Sequence, residues 1–521
     1  MKKPNYLKGL RVTLAILIFV PILLFFVDFA GVLPDATSKL LHLQILPAIL
    51  SGMIGLLVFQ LVLALLFGRI YCSVICPAGV LQDIINRIFC IGKKKKKGVR
   101  RFSYHKPMNI LRYAIMGATF GLAIFGVIEL CTLLDPYSNF GRIANNLFRP
   151  VVMWTNNLLA EGLSKMDNYT LYNVTINNVT LASVLSGAIA LLVFIVMTVF
   201  RGRLFCNTIC PVGTLLSVVS RYSFFRISFD KEACMHCGNC EHTCKAEAID
   251  SKNLTVDTSR CVDCFNCVSS CSKGGLQYRF KPFYKKEENV MTAATVNPIQ
   301  ENSPSRRSFL TTSATVVATL PVVPALAACK RKHGKKWPPI IPPGAISLER
   351  FKDVCTGCQI CVTQCPSHVL RPTGMEYGFD YFLKPRVTYE VNSYCNYECT
   401  VCSEVCPTHA IKPLTKEEKA TTQVGIATFF INRCIVKTEG TDCGACSEHC
   451  PTQAVHMIPY EGTLTIPKVN PDLCIGCGGC ESICPVRPMR AILIKPNEVH
   501  KFVEKPKEEE VKKVEVEDFG F

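Results

Sequence analysis

The sequence predicts a membrane α-helical domain of four transmembrane helices, built as a duplicated two-helix unit, followed by small α+β domains rich in cysteine. Three observations support this fold class. The chain of 521 residues is 49% hydrophobic, and four of its stretches are apolar enough to cross a bilayer. It contains 31 cysteines, most of them in groups of four. One cysteine-containing motif occurs twice within the apolar half.

The four apolar stretches reach the length of about 20 residues that a bilayer core requires. They cover residues 11–33, 45–67, 109–134 and 180–200. Basic residues orient them, because Lys and Arg next to a span mark its cytoplasmic side. The residues concerned are Lys2, Lys3, Lys8, Arg11, Arg69, Lys93 to Lys97, Arg100, Arg101, Arg201 and Arg203. We therefore expect the N-terminus inside and the loops 34–44 and 135–179 outside.

The formal net charge of +18 raises the question of nucleic-acid binding. The densest basic run, Lys93 to Lys97, lies just after an apolar stretch, where it is typical of a positive-inside anchor. The sequence therefore predicts no nucleic-acid partner.

The chain divides into six parts by composition and cysteine spacing. We predict a transmembrane domain, a cytoplasmic domain with two four-cysteine motifs, a polar linker, a short apolar segment, an exported domain with four such motifs, and a charged disordered tail. These parts cover residues 1–218, 219–288, 289–304, 305–330, 331–500 and 501–521.

The short apolar segment begins with Ser305-Arg306-Arg307-Ser308-Phe309-Leu310, which is typical of a twin-arginine export signal. A fifth membrane span is the alternative reading of the same residues. The segment ends Leu-Ala-Ala-Cys329, so this cysteine is either a lipidated new N-terminus after cleavage or an idle thiol. With an export signal here, residues 201–304 lie in the cytoplasm and residues 331–521 in the periplasm of a bacterial inner-membrane protein.

Six four-cysteine motifs follow the pattern by which bacterial ferredoxins hold [4Fe–4S] clusters. Three thiolates on one tight loop bind three corners of a cubane, and the fourth is carried to a neighbouring cluster. The ligands are Cys234, Cys237, Cys240 and Cys244; Cys261, Cys264, Cys267 and Cys271; Cys355, Cys358, Cys361 and Cys365; Cys395, Cys399, Cys402 and Cys406; Cys434, Cys443, Cys446 and Cys450; and Cys474, Cys477, Cys480 and Cys484.

Zinc is the alternative metal, because four thiolates also satisfy tetrahedral Zn²⁺. Zinc motifs usually pair two Cys-x2-Cys knuckles across a spacer, whereas three cysteines in one loop followed by Cys-Pro recur here. The sequence therefore predicts ferredoxin-like iron–sulfur domains with six clusters. In the first domain, Lys245 and Ser272 replace the usual prolines, and crossed ligation would exchange Cys244 and Cys271.

The repeated motif in the apolar half is Gly68-Arg69-x2-Cys72-x3-Cys76-Pro77 and Gly202-Arg203-x2-Cys206-x3-Cys210-Pro211. On a helix, cysteines at i and i+4 share a face. Cys72, Cys76, Cys206 and Cys210 are therefore candidate ligands of a seventh cluster. A reactive dithiol and a structural role at the helix exit are the alternatives.

Residues 1–288 resemble the NapH-type membrane quinol dehydrogenase component, through these repeats and the two motifs after them. Residues 305–500 resemble NapG, its exported four-cluster ferredoxin partner, so the chain looks like a fusion of the two within the polyferredoxin family. The resemblance implies that electrons pass from the membrane quinone pool to a periplasmic reductase or cytochrome acceptor. It also implies that, in the four-motif domain, the first motif exchanges its last cysteine with the fourth and the second with the third.

Two other functions are also compatible with the sequence. The chain is a maturation or regulatory polyferredoxin in one, and in the other it relays electrons from a cytoplasmic redox donor into the quinone pool.

Quinol oxidation requires a proton acceptor, and ionisable groups at membrane depth are functional candidates. Glu129 and Asp135 are the candidates here. Asp28 and His42 also lie near the outer side and are more typical of interface residues. Cys90 and Cys131 fit no cysteine set, and we expect them to pack as apolar residues.

Overall fold

The computed structural model describes residues 6–33, 35–91, 102–176, 180–281, 337–390 and 393–504. The Lys93 to Lys97 run, the linker 289–304, the twin-arginine segment with Cys329, and residues 505–521 of the tail lie outside the described residues.

Helices make up the N-terminal part of the chain. Eleven α-helices are described there: α1 Tyr6–Val27, α2 Ile45–Leu50, α3 Ile54–Phe67, α4 Tyr71–Val74, α5 Pro77–Ile91, α6 Asn109–Ile124, α7 Glu129–Leu134, α8 Pro136–Ile143, α9 Arg149–Ser164, α10 Leu181–Arg201 and α11 Pro211–Ser220. A 3₁₀-helix forms at Asp35–Leu43, and π-helical turns form at Ala144–Phe148 and Phe205–Ile209.

Two helices, α1 and α10, are long and apolar enough to cross a membrane, judged by length and composition. They correspond to the first and fourth predicted spans. The other two predicted spans are not continuous helices. A turn at Gly52, with φ of +72°, separates α2 from α3, and a turn at Gly126, with φ of +78°, separates α6 from α7. Glycine adopts this left-handed conformation without strain. The prediction of continuous spans did not take these two turns into account.

The two arms of each interrupted stretch contact each other. Helix α3 packs on α2, and Gln60 Nε2 in α3 donates to Leu43 O, just before α2. Cys131 Sγ in α7 donates to Thr119 O in α6. Helices α3 and α6 have 14 and 16 residues, fewer than the roughly 20 of a full span. Within the described residues, four continuous spans are therefore not seen, and the apolar part there consists of two long helices with two helical hairpins.

Large apolar side chains lie exposed along these helices. Leu17 in α1, Phe59 in α3, Ile124 in α6 and Ile189 in α10 each expose more than half of their surface. Soluble monomers rarely expose apolar surface this continuous, and such patches mark membrane or protein contact.

Residues 219–281, which we call the first ferredoxin segment, form a small α+β unit. Strands β1 (Phe225–Phe229) and β4 (Leu276–Phe280) pair antiparallel around it, and the shorter β2 (Ile249–Asp250) pairs with β3 (Thr255–Val256). Helices α12 (Asn239–Thr243) and α13 (Asn266–Ser270) each carry the third cysteine of a motif.

Residues 337–504, the second ferredoxin segment, form a larger α+β unit that holds the other four motifs. The long strands β7 (Thr422–Phe429) and β10 (Ile492–Phe502) pair antiparallel around the last two motifs. The other strands are β5 Leu370–Pro372, β6 Pro385–Val387, β8 Val455–Pro459 and β9 Thr465–Val469, and the helices are α14 Leu348–Val354, α15 Ile360–Thr363, α16 Val401–Glu404, α17 Lys416–Thr421, α18 Ile435–Thr438, α19 Ala445–Glu448 and α20 Gly479–Ile483.

Helix α1 connects the two ferredoxin segments. Near its start, Lys8 Nζ donates to Ser269 Oγ of the first segment at 3.5 Å. Near its end, Phe25 O accepts from Gln364 Nε2 of the second segment at 2.7 Å. The rise between positions 8 and 25 is about 26 Å at 1.5 Å per residue, close to the roughly 30 Å hydrocarbon thickness of a bilayer. The two segments therefore lie at opposite ends of the apolar helices.

Asp83 in α5 joins three parts of the molecule. Its carboxylate receives Arg203 Nε at 2.9 Å, pairs with Lys245 Nζ at 2.6 Å, and also pairs with Arg11 of α1. Burial alone would raise the pKa of Asp83, but Arg203, Lys245 and Arg11 hold it well below its ordinary value. The Asp83 cluster thus attaches α1 and the second repeat to the first ferredoxin segment.

We predict that Asp83→Asn destabilises the protein by about 3–5 kcal/mol, since it leaves buried cations without their counter-charge. Thermal unfolding of the detergent-solubilised chain measures this. Asp472→Asn, at an exposed position, is the matched control and should leave the transition in place. An unfolding temperature equal to that of the wild type would show that the Asp83 cluster does not hold the domains together.

Candidate iron–sulfur sites and the central cysteine site

The two copies of the Gly-Arg-x2-Cys-x3-Cys-Pro motif fold alike. In each copy an apolar helix ends at the glycine, a short helical turn carries the first cysteine, and proline begins the next helix. Proline suits the first position of a helix because its missing N–H would have no partner there. Cys72, Cys76, Cys206 and Cys210, which together we call the central cysteine site, are all buried.

The arginine of each copy binds the backbone of the other copy. Arg69 Nη2 donates to Cys206 O at 2.9 Å, and Arg203 Nη1 donates to Cys72 O at 2.8 Å. Both guanidinium groups are buried, with 0% and 1% of their residue surfaces exposed. The same nitrogens lie 3.8 Å from Cys72 Sγ and 3.9 Å from Cys206 Sγ. Each repeat therefore places its arginine against the cysteine loop of the other repeat, and the two repeats are related by an approximate two-fold symmetry.

Two glycines make this exchange sterically feasible. A Cβ at Gly79 would lie 2.1 Å from Cys72 O, and a Cβ at Gly213 would lie 2.3 Å from Cys206 O. Each would also stand 2.9 Å from the incoming arginine. No side chain fits in either place, which explains the glycine two residues after each Cys-Pro.

The four thiols of the central site lie close to one another. Burial raises the pKa of Cys210, and the Cys206, Cys76 and Cys72 thiols raise it further. Burial also raises the pKa of Cys206, which Arg203 and Arg69 oppose. Gly213 N–H donates to Cys210 Sγ at 3.2 Å. Four thiolates carry four negative charges, and the two buried arginines and this amide supply the positive environment that they need. The site thus fits a group that binds four thiolates.

The second ferredoxin segment brings its sixteen cysteines into four sets, and each set takes its fourth cysteine from a neighbouring motif. Burial and the thiols of Cys358, Cys355 and Cys406 raise the pKa of Cys361. Cys365 lies in a cavity with Cys395, Cys399 and Cys402. The sets are A (Cys355, Cys358, Cys361, Cys406), B (Cys395, Cys399, Cys402, Cys365), C (Cys434, Cys443, Cys446, Cys484) and D (Cys474, Cys477, Cys480, Cys450).

This arrangement corrects the expected exchange of the first motif with the fourth and the second with the third. The first motif exchanges with the second, and the third with the fourth. The reason is the strand pairing, because β7 and β10 enclose the third and fourth motifs as one unit. Sets B and D then meet where Cys395 N–H donates to Cys477 O at 2.9 Å, which gives the order A, B, D, C along the segment.

The first ferredoxin segment shows the same crossing at Cys244. Burial raises the pKa of Cys267, and Cys244 and Cys264 raise it further, which places Cys244 beside the second motif. Lys245, which stands where ferredoxins have proline, pairs with Asp83 instead. The departure from the ferredoxin pattern is therefore explained by docking onto the helices.

The central cysteine site lies against the first ferredoxin segment. A Cβ at Gly68 would lie 2.5 Å from Asp263 Oδ2, and one at Gly202 would lie 2.3 Å from Lys245 O. Arg69 Nη1 donates to Ser259 O at 3.0 Å. The two helix ends that hold the cysteines thus contact the loops that hold Cys244, Cys261 and Cys264.

Asp135 lies between the central site and set A. Burial raises the pKa of Cys76, and the other central thiols and Asp135 raise it further. Burial also raises the pKa of Cys358, and Asp135 contributes to that increase. One carboxylate is therefore near both thiols. Helix α8 bears directly on set A, because a Cβ at Gly141 would lie 2.5 Å from Cys358 O.

The predicted proton acceptors occupy different environments. Asp135 caps α8 by accepting from Ser138 N and Oγ, and Asp28 accepts from the N–H groups of Ala30, Gly31 and Leu33. Glu129 lies 3.7 Å from Lys384 of the second segment. The ring of His42 lies 5.6 Å from that of His409. Asp28 and Asp135 thus have local structural contacts, whereas His42 and Glu129 both meet the second ferredoxin segment, and of these two Glu129 is the carboxylate.

Among the described residues, no three His, Cys, Asp or Glu side chains converge as the ligands of a single metal ion would. The sets above are assigned from cysteine spacing and from neighbouring thiols. Cys131 is buried in the apolar core, as expected for a thiol outside these sets.

Two family profiles match the chain. The profile of a 4Fe-4S binding domain matches residues 47–98 and 183–232, which contain the two copies of the repeated motif. That of a 4Fe-4S dicluster domain matches residues 439–487, within sets C and D. The matched segments are therefore iron–sulfur binding domains, and the chain carries multiple 4Fe-4S motifs of this type.

Several curated proteins are distantly similar. The putative electron transport protein YccM of Escherichia coli is 27% identical over 41% of this chain and 51% of its own length. The methylamine utilization ferredoxin-type protein MauN of Paracoccus denitrificans is 26% identical over 38% and 56%. The regulatory protein NosR of Stutzerimonas stutzeri is 23% identical over 37% and 22%. The chain thus spans about half the length of the first two relatives, and no solved structure matches it.

We predict that anaerobically purified protein contains about 28 iron atoms, since seven sites would hold four each. The double variant Cys76→Ser/Cys210→Ser should lose about four of them, and Cys131→Ser, the control, should lose none. Iron analysis per polypeptide measures both. A wild-type content of about 24, unchanged in the double variant, would leave the central site without a cluster.

The crossed sets give a second prediction. Cys355→Ser/Cys406→Ser removes two ligands of set A and should cost about four irons, whereas Cys402→Ser/Cys406→Ser removes one ligand each from sets B and A and should cost about eight. The same iron analysis applies. Equal losses from the two double variants would contradict the assignment of Cys406 to set A.

Proposed function

We propose that the chain is a membrane-embedded electron relay that oxidises quinol and passes the electrons to a redox protein beyond the second ferredoxin segment. One observation carries the proposal. The central cysteine site contacts the first ferredoxin segment on one side and lies near set A on the other, just beyond the ends of the apolar helices α3 and α10.

The proposed position of the membrane rests on α1. Its two ends meet different ferredoxin segments about 26 Å apart, and its sides expose Leu17 and Ile16. We infer that α1 and α10 cross the bilayer and that the two hairpins fill the layer beside them. The first ferredoxin segment then faces the side of the N-terminus, and the second faces the opposite side.

The chemistry of the bound groups is simple, because a 4Fe-4S cluster exchanges one electron. The protein sets their order. We propose seven sites, in the sequence first ferredoxin segment, central cysteine site, A, B, D and C. Set C ends the series, and Cys443 and Cys446 there are partly exposed. Its surface is the proposed exit to a periplasmic reductase or cytochrome.

The buried arginines tune the central site. Positive charge close to a cluster stabilises its reduced form, because reduction adds an electron. Arg69 and Arg203 therefore make the central site a better electron acceptor than the same thiolates would be alone. A carrier that accepts electrons from quinol needs this property.

A second candidate function is the reverse relay, from a soluble donor into the quinone pool. Cys237 of the first ferredoxin segment is exposed, so a small redox protein could approach its cluster there. The two directions use the same sites and differ in which end first receives electrons.

The relay predicts that menaquinol reduces the clusters of the anaerobic protein in lipid nanodiscs. Bleaching of the absorbance near 420 nm follows the reaction, and dithionite gives the full amplitude. The double variant Cys76→Ser/Cys210→Ser should react with dithionite and lose most of the quinol-driven bleaching. Full dithionite reduction of the wild type with no response to any quinol tested would count against the relay and favour a maturation or regulatory role.

Glu129 is the proposed proton acceptor, because it is an acid near a predicted outer helix end and beside Lys384. Asp135 stays a second candidate. Glu129→Gln should slow quinol-driven bleaching by at least about tenfold, since general bases contribute about 10²–10⁴-fold, and leave the iron content intact. Glu161→Gln, at an exposed site, is the control. Unchanged turnover in Glu129→Gln would remove this residue from the reaction.

A further inference from the structure

A cavity of about 510 Å³ lies between α10, the α7–α8 region and the loop at Phe382 and Leu383 of the second ferredoxin segment. Its volume is within the range of about 300–1,000 Å³ of small-molecule sites. Its lining is mainly apolar. Two polar side chains, Asn139 and Arg142, enter it from α8.

The cavity lies between two cysteine sets. On one side it is lined by Phe205, the neighbour of Cys206 in the central site. On the other side it is lined by Leu383, whose carbonyl oxygen would lie 3.1 Å from a Cβ at Gly357, the neighbour of Cys358. A molecule in the cavity would therefore stand beside both the central site and set A.

Arg142 and Asn139 present one donor and one acceptor that the fold does not use. Arg142 donates from Nε to Ser138 O at 3.2 Å and from Nη2 to Thr132 O, and its Nη1 has no partner among the described residues. Asn139 Nδ2 donates to Leu133 O and Asp135 O, and its Oδ1 accepts nothing within the same residues. A donor and an acceptor on adjacent turns suit two hydroxyls of one ring, one of which accepts a hydrogen bond while the other donates one.

The cavity also borders the apolar surface of α10. Leu185 and Ile189 line it and expose 51% and 60% of their surfaces. If α10 crosses the bilayer, these side chains face lipid, and an isoprenoid tail can extend along them. A soluble ligand would gain nothing from such a surface.

We propose that this cavity binds the head group of an isoprenoid quinol, with Arg142 and Asn139 holding its two ring oxygens and its tail lying on α10. This rests on the proposed function and adds the place where the substrate binds. Oxidation of one quinol releases two electrons and two protons. The electrons leave singly through the adjacent central site and set A, and the protons pass through Glu129 to water.

The position of Glu129 supports this route for the protons. Glu129 precedes the cavity-lining Leu133 by four residues in α7, so the two share a helix face. Its partner Lys384 directly follows the cavity-lining Leu383. The ion pair therefore lies at the edge of the cavity where the second ferredoxin segment meets α7.

Photolabelling of the full chain in nanodiscs with an azido-quinone tests the site. We expect label on residues 133–142 or 182–194, reduced at least fivefold by excess menaquinone. Ala190→Phe, which fills the cavity, should lose the label and slow quinol-driven bleaching at least tenfold, with dithionite bleaching unchanged. Ala188→Phe, exposed on the same helix, should behave as wild type.

The outcomes separate the site from the function. Label elsewhere, or normal quinol kinetics in Ala190→Phe, would overturn the site even if quinol reduces the wild type. Competed label in the cavity without quinol-driven bleaching would support the site and reject the proposed function. Labelling that excess phospholipid removes and menaquinone does not would identify the occupant as a lipid acyl chain and overturn the proposal.

Discussion

Four thiols buried next to apolar helices require positive charge, and this requirement organises the molecule. Thiolates removed from water are costly unless nearby donors and cations stabilise them. Arg69 and Arg203 supply that stabilisation, and each reaches across to the opposite repeat. Neither repeat can complete the site alone. The exchange also requires Gly79 and Gly213, where any side chain would collide with a cysteine carbonyl.

Arg203 also links the central cysteine site to the neighbouring domains. Arg203 pairs with Asp83, which in turn pairs with Lys245 of the first ferredoxin segment and with Arg11 of α1. A change in the central site would therefore act on domain docking as well as on bound iron. On the other side, α8 packs on the Cys358 loop and carries Arg142 and Asn139 into the cavity. The proposed quinol site and the proposed electron path thus share one set of contacts.

Sequence reasoning located the motifs because cysteine spacing is directly visible. The duplicated Gly-Arg-x2-Cys-x3-Cys-Pro unit was predicted, and the family profile matches both copies. The contact of each arginine with the opposite repeat was not predicted, although the repetition of arginine beside the cysteines in the sequence indicated a shared role. The continuous spans at 45–67 and 109–134 were wrong, because hydropathy does not register a left-handed turn at Gly52 or Gly126. The exchange of cysteines was also wrong, since it depends on the pairing of β7 with β10. The cavity is lined by residues from distant parts of the chain, so no local sequence pattern predicts it.

We propose that Cys72, Cys76, Cys206 and Cys210 hold a cluster between the two ferredoxin segments. Anomalous scattering at the iron absorption edge, from crystals of the anaerobic protein, tests it most directly. We expect a strong anomalous peak enclosed by these four sulfurs, in addition to those of the six ferredoxin sites. Peaks at the six ferredoxin sites alone, with none among the four central sulfurs, would contradict it.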